Sequence, residues 1–287
     1  MNATRIAVLG GSGLYQMEGL EDVEERRVTT PFGDPSDALV CGTLAGVRVV
    51  FLARHGRGHR LTPSQVPYRA NIYALKSLGV EQVISVSACG SLREHLHPGE
   101  FMIPDQLFDH TKLRISTFFG GGLAAHISVA DPFCSRLSDL LAVSVEAAGG
   151  TVHRGGTLVT IEGPRFSTRG ESHTFRSWGM DIINMTTCPE AFLAREAEMC
   201  YAVVNSISDY DVWHETEEPV TVEMVVDILH RNARLASKAI AGLVDRLAEA
   251  RTCGCGNALG QALLTPREQI PAETLERLRP LVGKYLA

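Results

Sequence analysis

Short apolar runs along this chain end abruptly in polar, glycine-rich breaks. Ile6-Ala7-Val8-Leu9 stops at Gly10-Gly11-Ser12-Gly13, and the run at 49–53 stops at Arg54-His55-Gly56. The run at 82–86 ends in Ser87-Ala88-Cys89-Gly90-Ser91, and the run at 157–161 in Glu162-Gly163-Pro164-Arg165-Phe166-Ser167. Ile182-Ile183 gives way to Asn184-Met185-Thr186-Thr187, and Ala202-Val203-Val204 leads on to Asp209-Tyr210-Asp211. Such runs predict buried, parallel strands joined by crossover helices. Helices are predicted over 68–78 with Gly79 as the stop, and from Asp131-Pro132 to Gly149-Gly150. Shorter ones cover 169–178 and 189–197, a long one runs from Val222 to about Arg251, and a weaker one lies near 271–285. Repeats and low-complexity linkers are absent. The pattern predicts one α/β domain: a catalytic body over 1–252, and a tail over 253–287 packed on it.

Composition narrows the function classes. A chain of 287 residues with 45% hydrophobic and 21% charged residues is globular in type. A net charge of -6 without any basic block argues against nucleic acid. No apolar run approaches the roughly 18 residues of a membrane span, and Met1 to Arg5 lead straight into the first strand. The expected location is the cytoplasm. Seven cysteines, an odd number, argue against a secreted disulfide framework.

In parallel sheets ligands collect at the carboxyl ends of strands, where this chain places its polar breaks. Gly10-Gly11-Ser12-Gly13 suits a backbone-amide cradle for an anion, or a plain turn. A dinucleotide fingerprint needs a third glycine where Gln16 stands, and a P-loop needs a lysine that is missing. Arg54-His55, Ser87-Ala88 and Thr186 add a guanidinium, hydroxyls and amides, which together favour one phosphate-sized site. Phe166, after Gly163-Pro164-Arg165, is either a stacking ring or core. For Asp209 and Asp211, expected on one face of an extended segment, three readings compete. They form a solvated turn pair, a Mg²⁺ site, or an acid and acceptor pair facing a purine.

The ordered motifs resemble the purine nucleoside phosphorylase / methylthioadenosine phosphorylase family. They are Gly-Gly-Ser-Gly-Leu at 10–14, Thr-Pro-Phe-Gly at 30–33, Pro-Ser-Asp-Ala-Leu at 35–39 and Ala-Arg-His-Gly-Arg at 53–57. Ala-Cys-Gly-Ser-Leu-Arg-Glu at 88–94, Ile-Glu-Gly-Pro-Arg-Phe-Ser at 161–167, Ile-Asn-Met-Thr-Thr at 183–187 and Asp-Tyr-Asp at 209–211 complete the set. The resemblance implies a distorted mixed central sheet flanked by helices, assembled as a trimer or a dimer of trimers. It implies phosphate held by Ser12, Arg54, His55, Ser87, Ala88 and Thr186, with serines at 12 and 87 where the family carries threonines. Met185 would lie against the ribose, and Phe166, Ser167, Asp209 and Asp211 against the base. Val222, Val225 and Val226 would line a methylthio pocket capped by His126 of a neighbouring subunit. The implied reaction is reversible phosphorolysis of methylthioadenosine, with the aspartates catalytic, inorganic phosphate as co-substrate, and neither metal nor organic cofactor.

Rival readings are a phosphorylase of 6-oxopurine nucleosides, expected to carry asparagine at 209 or 211, and a non-catalytic nucleotide sensor. A dinucleotide-dependent oxidoreductase is weakened by Gln16. Cys253-Gly254-Cys255 reads as free thiols, because no second Cys or His pair sits nearby to complete a zinc site. By resemblance to thermophilic members with a similar tail, Cys134 and Cys200 occupy positions able to pair as a disulfide.

Overall fold

The computed structural model describes residues 5–11, 19–214, 222–247 and 251–286, with the side chains of 222–231 and 245 outside that description. Ser12 and the side chains of Val222, Val225 and Val226 therefore lie outside the described residues. Among the described residues, 11 strands form one branched sheet. Its main path runs β2 (Leu20–Arg26), β3 (Leu39–Leu44), β4 (Val47–Ala53), β1 (Ile6–Gly10), β5 (Gln82–Ser91), β10 (Ile182–Asn184), β9 (Thr157–Ile161) and β7 (Gln106–His110). A branch leaves β5 through β11 (Cys200–Asp209) to β6 (Phe101–Ile103) and β8 (Val152–Arg154).

The branching comes from the length of β5. Its first half pairs in parallel with β1, from Ile6↔Gln82 to Leu9↔Ser85. The expected stop at Ser87 does not occur: the strand continues to Ser91, where Gly90 and Ser91 pair antiparallel with Ile183 and Ile182. β11 runs parallel to β5 from Cys200↔Gln82 to a register shift before Asp209. The parallel expectation thus holds for the sheet centre, including β1–β4 and β9–β10. It fails at β5–β10, at β6–β11, and in the antiparallel β2-β3-β4 meander. The turn from β3 to β4 is two residues, Ala45 and Gly46, both at positive φ, which suits the twist of a tight hairpin.

Alternating residues of β1 feed two cores. Ala7 and Leu9 join Ile72 and Leu75 of α1 (Tyr68–Ser77), Leu193 of α4 (Thr187–Glu196), and Leu278 and Leu281 of α6 (Ala272–Leu286). Ile6 and Val8 join Leu137 and Leu141 of α2 (Ser135–Ala147), and Ile240 and Leu243 of α5 (Val222–Leu247). Burial on both faces explains why the central strands are uniformly apolar. The remaining helix, α3 (Arg169–Ser177), starts in a reciprocal capping box of Thr168 and Glu171. Gly79 takes φ +85 just past α1, the left-handed position expected of it.

Two helix starts differ from expectation. α2 begins at Ser135, not at Asp131-Pro132, because the Cys134 amide donates to the Tyr201 carbonyl (2.8 Å) and keeps the chain extended until there. In α4 Cys188 is non-helical, as a residue preceding proline tends to be, so the regular helix starts at Pro189 as anticipated. The tail packs on the body: the Tyr73 hydroxyl donates to the Arg277 carbonyl (2.9 Å), and Leu278, Leu281 and Val282 are buried. Among the described residues no helix is long and apolar enough to cross a membrane.

Candidate active site

The polar ends of β1, β4, β5 and β10 meet at one edge of the sheet. Gly10 is in register with Ala53, and the Arg54 amide donates to the Gly10 carbonyl (3.0 Å). Asn184, at the end of β10, donates to Ser87 Oγ (3.3 Å) and to Thr187 Oγ1 (2.7 Å), and accepts from Thr160 Oγ1 (3.1 Å). This buried amide ties the middle of β5 to the ends of β9 and β10, a role the sequence reading did not assign to it.

The Arg54 side chain, read as part of the phosphate site, is buried against the carboxylate of Glu190 in α4, a partner the sequence reading did not name. Nε and Nη2 donate to the two carboxylate oxygens at 2.7 and 2.9 Å, and Nη2 also reaches Ser85 Oγ (2.6 Å). Nη1 reaches the Val86 carbonyl (3.2 Å). The Tyr201 hydroxyl also donates to Glu190 (2.7 Å). Burial works against the guanidinium charge, but Glu190 outweighs it and raises the pKa. The sequence missed Glu190 because a buried charge is recognisable only with its partner.

His55 is neutral by placement: burial first, and the Arg54 charge second, push its pKa down to about 4. Its Nδ1 lies 2.9 Å from the Leu61 carbonyl, which fixes the proton there and leaves Nε2 as an acceptor. Its ring stacks on His59 at 4.2 Å. Ser87 donates to the Ala88 carbonyl (3.1 Å), and both residues are partly exposed. Thr186 is the buried N-cap residue of α4 and makes no side-chain capping bond.

Asp209 and Asp211 come together, though not along an extended segment. Asp209 ends β11, while Asp211 has turned into the left-handed region at φ +53. The Asp211 amide donates to Asp209 Oδ1 (2.7 Å). Gly90 makes room for the pair, since a Cβ there would meet Asp209 Oδ1 at 2.9 Å and the Asp211 Cβ at 3.2 Å. Burial raises the Asp209 pKa to about 6, against the hydrogen bonds from Ser208 and the Asp211 amide, and burial raises Asp211 too. Ser208 Oγ lies 2.5 Å from Asp209 Oδ2 and 3.1 Å from the Cys89 carbonyl. Its single proton serves one of them, so a protonated Asp209 is accommodated when Ser208 turns to Cys89.

Asp211 faces the hydroxyls of Ser167 and Ser172. Asp211 Oδ2, Ser167 Oγ and Ser172 Oγ are buried atoms outside close hydrogen-bond geometry, yet the two hydroxyls lie near enough to work against burial and favour the Asp211 carboxylate. A carboxylate beside two hydroxyls offers both acceptors and donors, which suits the trio to polar atoms of a ligand. Phe166, next to Ser167, is 52% exposed, which favours the stacking alternative over core. Ser172 was missed because it lies inside a helix with nothing local to mark it.

Met185 is half-buried, its carbonyl held by Arg114 Nη1 (2.7 Å), which also reaches the Cys188 carbonyl (2.6 Å). Nη2 of the same arginine donates to the Glu162 carbonyl (2.6 Å). Arg114, also unread in the sequence, thus stitches the loop after β9 to the loop after β10. His126 is exposed, and only its backbone is tied down, to Ala262 (2.9 Å). The reading of Cys253 and Cys255 as lacking a second pair is corrected: Cys134 and Cys200 lie beside them, and all four sulfurs fall within 4.8 Å of one another.

Known proteins match this geometry closely. The family model described as the phosphorylase superfamily matches residues 5–249. An S-methyl-5'-thioadenosine phosphorylase from Geobacter sulfurreducens is 54% identical, over 98% of this chain and 99% of its own length. One from Koribacter versatilis is 52% identical, over 98% of this chain and 96% of its own. A solved methylthioadenosine phosphorylase from an antarctic soil metagenomic library superposes with a TM-score of 0.94 at 50% identity, covering 98% and 99% of the two chains. The Schistosoma mansoni methylthioadenosine phosphorylase in complex with adenine gives a TM-score of 0.84 at 37% identity, covering 90% and 96%. The chain belongs to the phosphorylase superfamily, among its methylthioadenosine phosphorylases.

Proposed function

We infer that this chain catalyses the reversible phosphorolysis of S-methyl-5'-thioadenosine, giving adenine and 5-methylthioribose 1-phosphate. The observation that carries the reading is the half-buried Asp209–Asp211 pair, facing the hydroxyls of Ser167 and Ser172 beside the exposed Phe166 ring. A 6-aminopurine is complementary to that pocket: it offers an N7 acceptor, a 6-amino donor and a flat face. Asp209, with its raised pKa, is the proton donor to N7 in this reading, and Asp211 accepts from the 6-amino group.

Phosphate is the nucleophile. One of its oxygens bonds to C1' as the C1'–N9 bond breaks, and the bonding pair passes into the purine as N7 takes the proton. No side chain needs activation as a nucleophile, and the reaction calls on no metal or organic cofactor. Phosphate is assigned to Ser12, Arg54, His55, Ser87, Ala88 and Thr186, with Arg54 acting through its charge while Glu190 holds its Nε and Nη2. Met185 is assigned to the ribose. Val222, Val225 and Val226 at the start of α5 are assigned to the methylthio group, with His126 arriving from a neighbouring subunit. Leu113 at 82% and Ile115 at 57% exposure give the 111–130 segment an apolar surface that supports a trimer or dimer of trimers. The catalytic body and the tail act as one domain, placed in the cytoplasm.

The test is a product assay with methylthioadenosine, adenosine, inosine and methylthioinosine, each with and without phosphate. The expected result is phosphate-dependent release of adenine, fastest from methylthioadenosine. Release of hypoxanthine from either inosine substrate at the methylthioadenosine rate would overturn the base assignment.

A further inference from the structure

The most organised cluster outside the site just described is a set of four sulfurs. We propose that Cys134, Cys200, Cys253 and Cys255 form a structural zinc site that fastens the C-terminal tail to the body. Their sulfurs all lie within 4.8 Å of one another, three of the four residues are buried, and Cys200 and Cys253 stand 3.3 Å apart. A tetrahedral thiolate site with Zn–S bonds of about 2.3 Å has S–S edges of about 3.8 Å, which small side-chain adjustments supply here.

Local structure aims each sulfur at the common centre. Cys253 is extended, at φ -94 and ψ 162, and precedes the 3-10 turn Gly254–Asn257. The turn carries Cys255 back beside Cys253, so one short segment presents two sulfurs. Cys134 is the N-cap residue of α2, where unpaired amides favour a thiolate. Cys200 opens β11, its amide held by the Glu81 carbonyl (2.9 Å), as the Cys134 amide is held by Tyr201 (2.8 Å).

Charge is also provided for. Four thiolates around Zn²⁺ carry a net charge of two minus, and Arg195 Nη1 donates to Cys255 Sγ (3.6 Å). Loading releases the thiol protons to solvent, and no electrons move, so no oxidant is required. The two alternative disulfides would instead take the sulfurs in pairs and need an electron acceptor. Cys200 and Asp209 stand at opposite ends of the ten-residue β11, roughly 30 Å apart by strand rise, so the metal is structural and takes no part in the reaction.

The experiment starts from wild-type protein purified under reducing conditions. Elemental analysis is expected to find one zinc per chain, released when a mercurial titrates the cysteines. Reloading the stripped protein with Co²⁺ is expected to give thiolate-to-metal charge transfer and strong tetrahedral d–d bands. Cys253→Ser, at the least buried ligand, should weaken metal retention and lower Tm while leaving the phosphate KM unchanged. A chain that binds neither zinc nor Co²⁺ with all four thiols titratable overturns the proposal. Native mass short of one hydrogen pair per disulfide, with no metal, overturns it equally.

Discussion

The Arg54–Glu190 pair sets a test in which stability and phosphate use can be separated. Both side chains are essentially buried, at 3% and 1% exposure, so solvent screening does little to soften the loss of one partner. Arg54→Ala leaves the Glu190 carboxylate with only Tyr201 and Ser85 as donors. Removing one member of a buried pair costs about 3–5 kcal/mol, because the remaining charge stays desolvated. At about 2–4 °C per kcal/mol for a chain of this size, Tm should fall by roughly 6 to 20 °C. The double variant Arg54→Met with Glu190→Leu removes both charges and should regain most of that stability, since apolar replacements of a buried pair are often neutral. If Arg54 also lends its charge to phosphate, the double variant should keep a raised phosphate KM despite its recovered Tm. Calorimetry and phosphate saturation kinetics on the three proteins decide the matter. An Arg54→Ala protein with wild-type Tm would refute the buried-pair account. A double variant with wild-type phosphate KM would remove Arg54 from the phosphate site.

Further outcomes follow from the base pocket. Because burial lifts Asp209 from 3.8 to about 6, its acid form is lost as pH rises through about 6. The folded protein binds this proton more tightly than the unfolded chain, so the group's contribution to stability falls as pH rises between those two values. The nucleoside kcat/KM should decline on the limb that runs through about 6 and above. Asp209→Asn should flatten that limb, and a limb unchanged in the variant would assign it to another group. Asp211→Asn should erode discrimination against inosine, because an amide can present a donor to a 6-oxo group, with a buried mismatch worth about 1–3 kcal/mol. Retained rejection of inosine would take Asp211 out of base reading. Gly90→Ala should lower turnover more than phosphate affinity, because its Cβ meets Asp209 Oδ1 at 2.9 Å, and normal turnover would show the pair tolerates displacement.

Much of this architecture is legible in the sequence because the central strands bury both faces and announce themselves as apolar runs. The strands that escape notice lack that signature. β2 reads LEDVEER and exposes nearly every residue on an edge, while β6 and β8 are three residues each. The path of β5 beyond Ser87 was hidden because its pairing with β10 depends on a strand ninety residues away in the chain, beyond the reach of a local pattern. The site followed the same division. Phe166, Asp209 and Asp211 stand out at glycine-rich or turn-forming breaks. Glu190, Arg114, Ser172 and Asn184 owe their roles to partners from distant segments. The four cysteines were visible individually, but their convergence needed the start of α2, the start of β11 and the tail to be folded against one another.

The central claim is that phosphate attacks the sugar while the aspartate pair releases adenine. Phosphorus NMR on the wild-type protein with methylthioadenosine and inorganic phosphate tests it directly, with adenine followed in the same sample. The account predicts that inorganic phosphate is consumed in equal measure with adenine formed, and that a phosphate ester signal coupled to the anomeric proton grows in its place. Adenine released while the inorganic phosphate signal stays constant would make water the nucleophile and contradict the account.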